Sequence, residues 1–443
     1  MSSEWPLVRL ADHVESCLGK MLDAKKNKGA LQPYLGNSNV RWGKFDISDL
    51  SEMKFEVHED ERYSLHTGDL VVCEGGEPGR CAIWNGPAGM KIQKALHRIR
   101  PKETLDNYYL FYWFCLAART GCLEPHFTGT TIKHLTGRGI GALQIPLPPV
   151  ATQRAMVDVL RSLDIRITLL GETNVTLESI AQALFKSWFV DFDPVRAKAE
   201  GLAPEGMDAA TAALFPDSFE ESELGLVPSE WTIKRVADVA EIIKGKSYKS
   251  MELAESYHTA LVTLKSFSRG GGFRLDGFKP YTGSYKPAQV VVPGDLIIAY
   301  TDVTQAAELI GKPAIVVGVE DYQTLVASLD VGIVKPNSSR VSRQYLYGLF
   351  RTDLFQNHTF AHTSGTTVLH LAKDGVGSYQ FACPPQQLVQ LFSEVTDALS
   401  KRCQNNIDRI RTLTQLRDTL LPRLISGQLR LPEAEAQIEA ACA

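Results

Sequence analysis

Two kinds of apolar pattern divide the chain. From Met156 the apolar positions continue through Leu160, Leu163, Ile167, Leu170, Asn174, Leu177, Ala181, Leu184 and Trp188, an unbroken alternation of four and three. That is the seam of a coiled coil, where each position meets a partner helix. From Phe392 a second seam runs Thr396, Leu399, Cys403, Asn406, Ile410, Leu413, Arg417, Leu420 and Leu424. It is poorer, yet no proline or glycine interrupts it between Pro385 and Pro422. The spacing predicts long helices over 150–190 and 384–426, rods of ~45–60 Å at ~1.5 Å per residue. Pairing them with each other buries both seams at once. The one asparagine on each, Asn174 and Asn406, can fix the register at some cost in stability.

Regions 1–149 and 226–383 read differently. Short β-type runs such as Asp69–Cys73, Gln289–Val292, Leu296–Tyr300 and Ala314–Val317 are separated by glycine-rich turns, with helical stretches such as Tyr108–Thr120. The reading is of the α+β class: two β-rich mixed globules joined by two long helices forming an antiparallel coiled coil. Residues 191–225 carry Pro194, Pro204 and Pro216 and read as an exposed acidic linker. Residues 427–443 read as a C-terminal tail.

The two globules are copies. Trp5-Pro-Leu-Val-Arg9-Leu-Ala11-Asp12 matches Trp231-Thr-Ile-Lys-Arg235-Val-Ala237-Asp238 at an offset of 226, as Gly68-Asp69-Leu70 matches Gly294-Asp295-Leu296. Gly129-Thr130-Thr131 and His134-Leu135 match Gly365-Thr366-Thr367 and His370-Leu371 at 236, and the double prolines 148–149 and 384–385 keep that offset. One constant offset broken by a single ten-residue insertion means a duplicated unit. It predicts an internal pseudo-two-fold.

Charge at first argues against a nucleic-acid partner, since the net value is −4. Counted by region, that objection weakens. Residues 1–149 carry 18 Lys+Arg against 17 Asp+Glu, 226–383 carry 16 against 14, and 191–225 hold 9 acids against 2 bases. The globules are near neutral, so DNA binding needs locally clustered bases. Eight cysteines form no C-x-x-C pair, no run approaches the ~20 apolar residues of a membrane helix, and the N-terminus lacks an apolar signal core. A cytoplasmic protein without a membrane partner is expected.

Catalytic motifs fail on context. Gly245-Lys246-Ser247 ends like a phosphate-binding loop, but Ala240 stands where the first glycine must be. Gly137-Arg-Gly139-Ile-Gly141-Ala142 spells a dinucleotide fingerprint, yet Pro146, Pro148 and Pro149 follow where a helix is needed. The double prolines read Leu-Pro-Pro-Val and Cys-Pro-Pro-Gln, without the polar and aromatic partners of an amino-methyltransferase. Glu52-Met-Lys54 lacks the upstream Pro-Asp of a nuclease. No histidine pair is read as a metal site. No catalytic residue, metal or cofactor is assigned to this chain.

Two copies related by a pseudo-two-fold suit a ligand with its own two-fold, and duplex DNA is one. At Gly19-Lys-Met-Leu-Asp23 with Asn27-Lys-Gly29 and Pro33-Tyr-Leu35, Val40–Gly43, Glu74–Arg80, Lys186–Pro194 and Leu420–Gly427, the chain resembles the type I restriction-modification DNA specificity subunit. The resemblance covers essentially the whole length. It implies two target-recognition domains (1–149 and 226–383) and two spacer helices. It also implies two modification subunits that carry S-adenosylmethionine, and restriction subunits that use ATP and Mg.

Candidate DNA contacts lie in the divergent polar loops. In the first globule they are Lys25, Lys26, Lys28, Arg41, Arg80, Gln93, Lys94, His97, Arg98, Thr128, Gly129, Thr130, Thr131 and Lys133. In the second they are Lys246, Tyr248, Lys249, Lys265, Arg269, Lys279, Lys286, Thr304, Gln305, Thr363, Ser364, Gly365, Thr366 and Thr367. Arg, Lys and Gln suit base edges, while Lys, Thr and backbone N–H groups suit phosphates. Two rival readings are a self-sufficient enzyme and a scaffold that never touches DNA.

Overall fold

The computed structural model describes residues 4–442 except 24, 26, 305, 320, 338 and 339. It divides into two compact units, Met1–Leu169 with Arg409–Ala443, and Leu170–Asp408. Each unit therefore takes one globule and part of both long helices.

In the first unit a four-stranded antiparallel sheet runs Val14–Leu18, Leu96–Pro101, Leu70–Cys73, Cys81–Ile83. All four residues of Leu70–Cys73 are buried, as a central strand of branched aliphatics should be. Leu7–Arg9 pairs with Gln144–Pro146, which returns the chain to its start before the first long helix. In the second unit the same sheet is built again from Ala240–Lys244, Val331–Pro336, Leu296–Ala299 and Pro313–Ile315, and Thr232–Arg235 pairs with Gln380–Cys383. The duplication extends to strand order.

The repeated Gly-Asp pair explains itself. Gly68 and Gly294 lie at φ 96° and 87°, which glycine adopts without cost. Asp69 then accepts the His66 N–H at 2.7 Å and a bidentate pair from Arg100 at 2.7 and 2.8 Å. Asp295 accepts the Val292 N–H at 3.0 Å and Lys335 Nζ at 2.9 Å. Each carboxylate closes the turn that starts the central strand and ties it to the neighbouring one.

The long helices are Val150–Phe189 and Gln386–Ser426. In the second unit they run antiparallel, since Phe185 meets Phe392 while Asn174 meets Asn406. The two seam asparagines bond directly, Asn406 Nδ2 donating to Asn174 Oδ1 at 2.7 Å, and Asn174 Nδ2 donates to the Cys403 carbonyl at 3.3 Å. In the first unit the seam cation Arg417 donates to Asp164 at 2.7 Å, and Asp164 also accepts the Tyr112 hydroxyl at 2.5 Å. The buried polar seam positions thus have partners, as low-dielectric sites require.

Two expectations need correction. Residues 191–225 are not simply an exposed linker. They hold short helices Asp193–Ala199 and Ala209–Ala213 and a hairpin of Phe219–Ser222 with Gly225–Pro228. Val195, Phe215 and Val227 are buried, Phe215 edge-on to Trp188 at 5.3 Å. The acids face solvent while sparse apolar residues anchor the segment, so net charge hid the packing. The C-terminal tail likewise contains a helix, Leu431–Cys442, with Leu429, Ala434 and Ile438 buried.

Candidate nucleic-acid interface

In the first unit the divergent loops are bonded to one another. Glu74 N–H donates to the Ala95 carbonyl and Leu135 N–H to the Glu74 carbonyl, both at 2.8 Å. Arg80 spans Glu77 Oε2 at 3.1 Å and the Asn37 carbonyl at 3.0 Å, and Trp42 Nε1 donates to Glu77 Oε1 at 2.6 Å. These bonds gather Asn37–Gly43, Glu74–Arg80, Gln93–Ala95 and the Thr128–His134 turn into one surface. Arg41, Thr128, Gly129, Thr130, Thr131 and Lys133 are exposed on it, with Gln93 and Lys94 half-buried. Lys25 and Lys28 are exposed on a separate segment, where the close approach of Gly29 to the Phe55 carbonyl leaves no room for a Cβ. Lys26 lies outside the described residues.

Three of the sequence candidates belong to the framework instead. His97 is 2% exposed on the strand Leu96–Pro101, and its Nε2 has no protein partner. Burial lowers its pKa against the opposing pull of Glu74, which favours a neutral core imidazole. Arg98 is 7% exposed and donates through Nη1 to the carbonyls of Glu61 and Ser64 at 2.9 and 3.1 Å. Arg80 is spent on holding its own loop. A strand alternating between two covered faces buries polar residues that, in sequence, resemble a basic recognition run. Arg98→Met should cost about 2 kcal/mol by stripping the buried Ser64 carbonyl, and the part-buried one of Glu61, of a charged donor. Denaturant melting checks this, and the methylated sequence should not change.

In the second unit one set of loops joins around the strand pair Thr301–Asp302 with Leu369–Leu371. Asp302 is fully buried and accepts N–H bonds from Thr304 and Leu309 at 2.6 Å and Ile310 at 2.9 Å. Burial opposes its ionisation, but the bonds from Thr304, Leu309 and Ile310 outweigh it and hold the carboxyl below its usual range. Arg269 reaches Glu308 at 3.1 Å, and Gly270 N–H donates to the Glu308 carbonyl. Arg269, Thr304 and the segment Thr363, Ser364, Gly365, Thr366, Thr367 thus share one loop system. A second set holds Tyr248, whose hydroxyl accepts Lys279 Nζ at 3.2 Å, and Lys249, whose N–H donates to Glu252. Lys246 is half-buried, its N–H donating to the Ala327 carbonyl at 2.7 Å, while Lys265 and Lys286 are exposed. Gln305 lies outside the described residues.

Sequence reasoning passed over the exposed aliphatics at these loop tips. Ile132 is 65% exposed beside Thr131, and Val303 and Met251 also stand out in solvent next to candidate residues. Apolar residues within polar loops were the available signal, since such groups suit thymine methyls. It also passed over His358 and His362, which do stand four apart, one in the helix Asp353–Ala361 and one capping its end, with ring centroids 4.2 Å apart. His358 Nε2 engages Ser378 and His362 Nδ1 engages the His358 carbonyl. Among the described residues only Glu56, His58 and Glu59 gather as three potential metal ligands, and Lys20 occupies Glu59. No described helix is long and apolar enough to cross a membrane.

A family model, the type I restriction modification DNA specificity domain, matches residues 2–179. That span is less than half of the chain, and similarity to type I specificity subunits extends well beyond it. It is 24% identical over 367 residues to the MjaIX type I restriction enzyme specificity subunit of Methanocaldococcus jannaschii, covering 83% of this chain and 78% of that protein. It is 21% identical over 442 residues to the MjaVIII specificity subunit of the same organism, covering 97% and 93%. Its fold is similar to the crystal structure of the S subunit from M. genitalium, with a TM-score of 0.52 at 14% identity over 95% of this chain and 96% of that one.

Proposed function

We propose that this chain is the sequence-reading subunit of a type I restriction-modification complex, binding duplex DNA through two unlike loop surfaces. Each unit reads one half of an asymmetric bipartite site. The observation that supports this most is one sheet framework made twice beneath two different sets of exposed polar loops. A framework kept while its surface changes suits one kind of ligand met twice in two sequences. The names of the relatives, specificity subunits all, agree with that reading.

The chain then needs no catalytic centre. Methyl transfer belongs to two modification subunits carrying S-adenosylmethionine, and cleavage to restriction subunits using ATP and Mg, all in the cytoplasm. With radiolabelled S-adenosylmethionine, the isolated chain should transfer no methyl group and cut no DNA. Modification subunits should methylate one bipartite sequence only when this chain is added. Filter binding on the same mixtures should show duplex retention following its addition. Methyl transfer by the isolated chain would sink the reading.

A further inference from the structure

Amid loops that otherwise differ, one turn is the same in both units. Gly129-Thr130-Thr131-Ile132-Lys133-His134-Leu135 and Gly365-Thr366-Thr367-Val368-Leu369-His370-Leu371 share spelling and conformation. Gly129 lies at φ 92° and Gly365 at φ 104°. A Cβ would come 2.3 Å from the Ile132 carbonyl oxygen in one turn and 2.1 Å from the Val368 carbonyl oxygen in the other. Glycine is required twice, by the same backbone approach. Each turn is laced at its base. Thr128 and His134 exchange both N–H···O bonds at 2.8 Å, and Ser364 pairs with His370.

Above the lacing the donors are unused. Among the described residues, the N–H groups of 129–132 and of 365–368 donate to no protein group. The hydroxyls of Thr130, Thr131, Thr366 and Thr367 are likewise without partners, and all four residues are exposed. Successive free amides beside a positive-φ glycine form an anion-binding concavity, and threonine hydroxyls and backbone amides are common phosphate contacts. Lys133 is not needed for the shape, since Leu369 holds its place in the second turn. Two half-sites that differ in bases still share one chemical feature, the sugar–phosphate backbone. An element kept in both units fits what both half-sites share.

We propose that the two Gly-Thr-Thr turns are matched phosphate clamps, each holding a DNA backbone phosphate through main-chain N–H groups and threonine hydroxyls. Through these amides and hydroxyls, which read no bases, they set the register of each unit on the duplex. This rests on the chain's being a duplex-binding subunit.

The test uses the assembled complex with its modification subunits. The variants Thr130→Glu/Thr131→Glu and Thr366→Glu/Thr367→Glu, made separately, place carboxylates against the phosphate. Each should weaken binding to the methylated sequence and to an unrelated duplex by the same factor, about tenfold or more, as loss of a charge-assisted bond implies. Both half-sites should keep their bases, and Thr130→Ser/Thr131→Ser should bind as the parent does. A changed base at either half-site, or unchanged affinity for both duplexes, overturns the proposal. Should a Glu variant fail to assemble, duplexes with single neutral methylphosphonates decide it on the parent complex. One sensitive phosphate facing each unit, in both the methylated and the unrelated sequence, is expected. Insensitivity at every position overturns it. A parent complex that binds all duplexes equally would instead sink the sequence-reading function and leave the clamps standing.

Discussion

Exchanging residues 170–408 for the matching part of another specificity subunit should give a complex that methylates a sequence with one new half and one unchanged half. Every residue of the buried clusters of the second unit falls within this span. The largest runs from Phe185, Trp188 and Phe189 at the end of the first long helix to Leu388, Val389 and Phe392 at the start of the second. Phe392 lies 5.7 Å from Phe185, 6.2 Å from Trp188 and 5.2 Å from Phe189, and Phe189 lies 6.1 Å from Trp231. The helix ends are therefore part of the globule's core. An exchange limited to 226–383 leaves these rings against a foreign surface. Large aromatics that lose their partners cost roughly 3–5 kcal/mol each by truncation, so the shorter chimera should melt well below the longer one. Long-read sequencing of methylated sites and thermal unfolding of both chimeras check the pair of outcomes. Two altered half-sites in the longer chimera would mean that the units do not read independently.

What could be read in advance divides along physical lines. The seams were legible because a four-three alternation has one cheap solution, a partner helix, and Asn174 does meet Asn406 there. The Gly-Asp and Gly-Thr-Thr anchors were legible because a glycine forced to positive φ leaves the same spelling in both copies. Side-chain placement was not. His97 and Arg98 sit on a strand covered on both faces, where alternation carries no information about exposure. Arg80 and Arg41 carry the same charge and both bond loop carbonyls, Arg41 those of Ser38 and Val40 close by. But Arg80 reaches Asn37, 43 residues away, and only Arg80 is half-buried. The burial of Phe215 on Trp188 depends on a contact that no local pattern announces. Local periodicity thus predicted elements, while loop-to-loop hydrogen bonds decided which polar groups face outward.

The second large effect concerns the length of the long helices. Val150–Phe189 is one uninterrupted helix that gives Leu160 and Leu163 to the buried interior of the first unit and Phe185 and Trp188 to that of the second. Between Asp164 and Asn174 it spends 10 residues. The opposite helix spends 11 between Arg417 and Asn406, so the two segments match to within one residue. Inserting four residues after Leu170 and four after Asp408 keeps that match. It also leaves the Asn174–Asn406 and Asp164–Arg417 bonds inside their own units. Gly171 offers a tolerant place, since nothing lies within 4 Å of where its Cβ would be. Each helix gains ~6 Å at ~1.5 Å per residue, and a four-residue stutter is absorbed by local unwinding of the pair. Duplex DNA advances ~3.4 Å per base pair along each strand. The bases of both halves should stay the same while the unread gap between them grows by about one or two base pairs. Sequencing the methylated sites of the insertion variant measures the gap directly. An active variant with the original gap would show that these helices do not set the spacing.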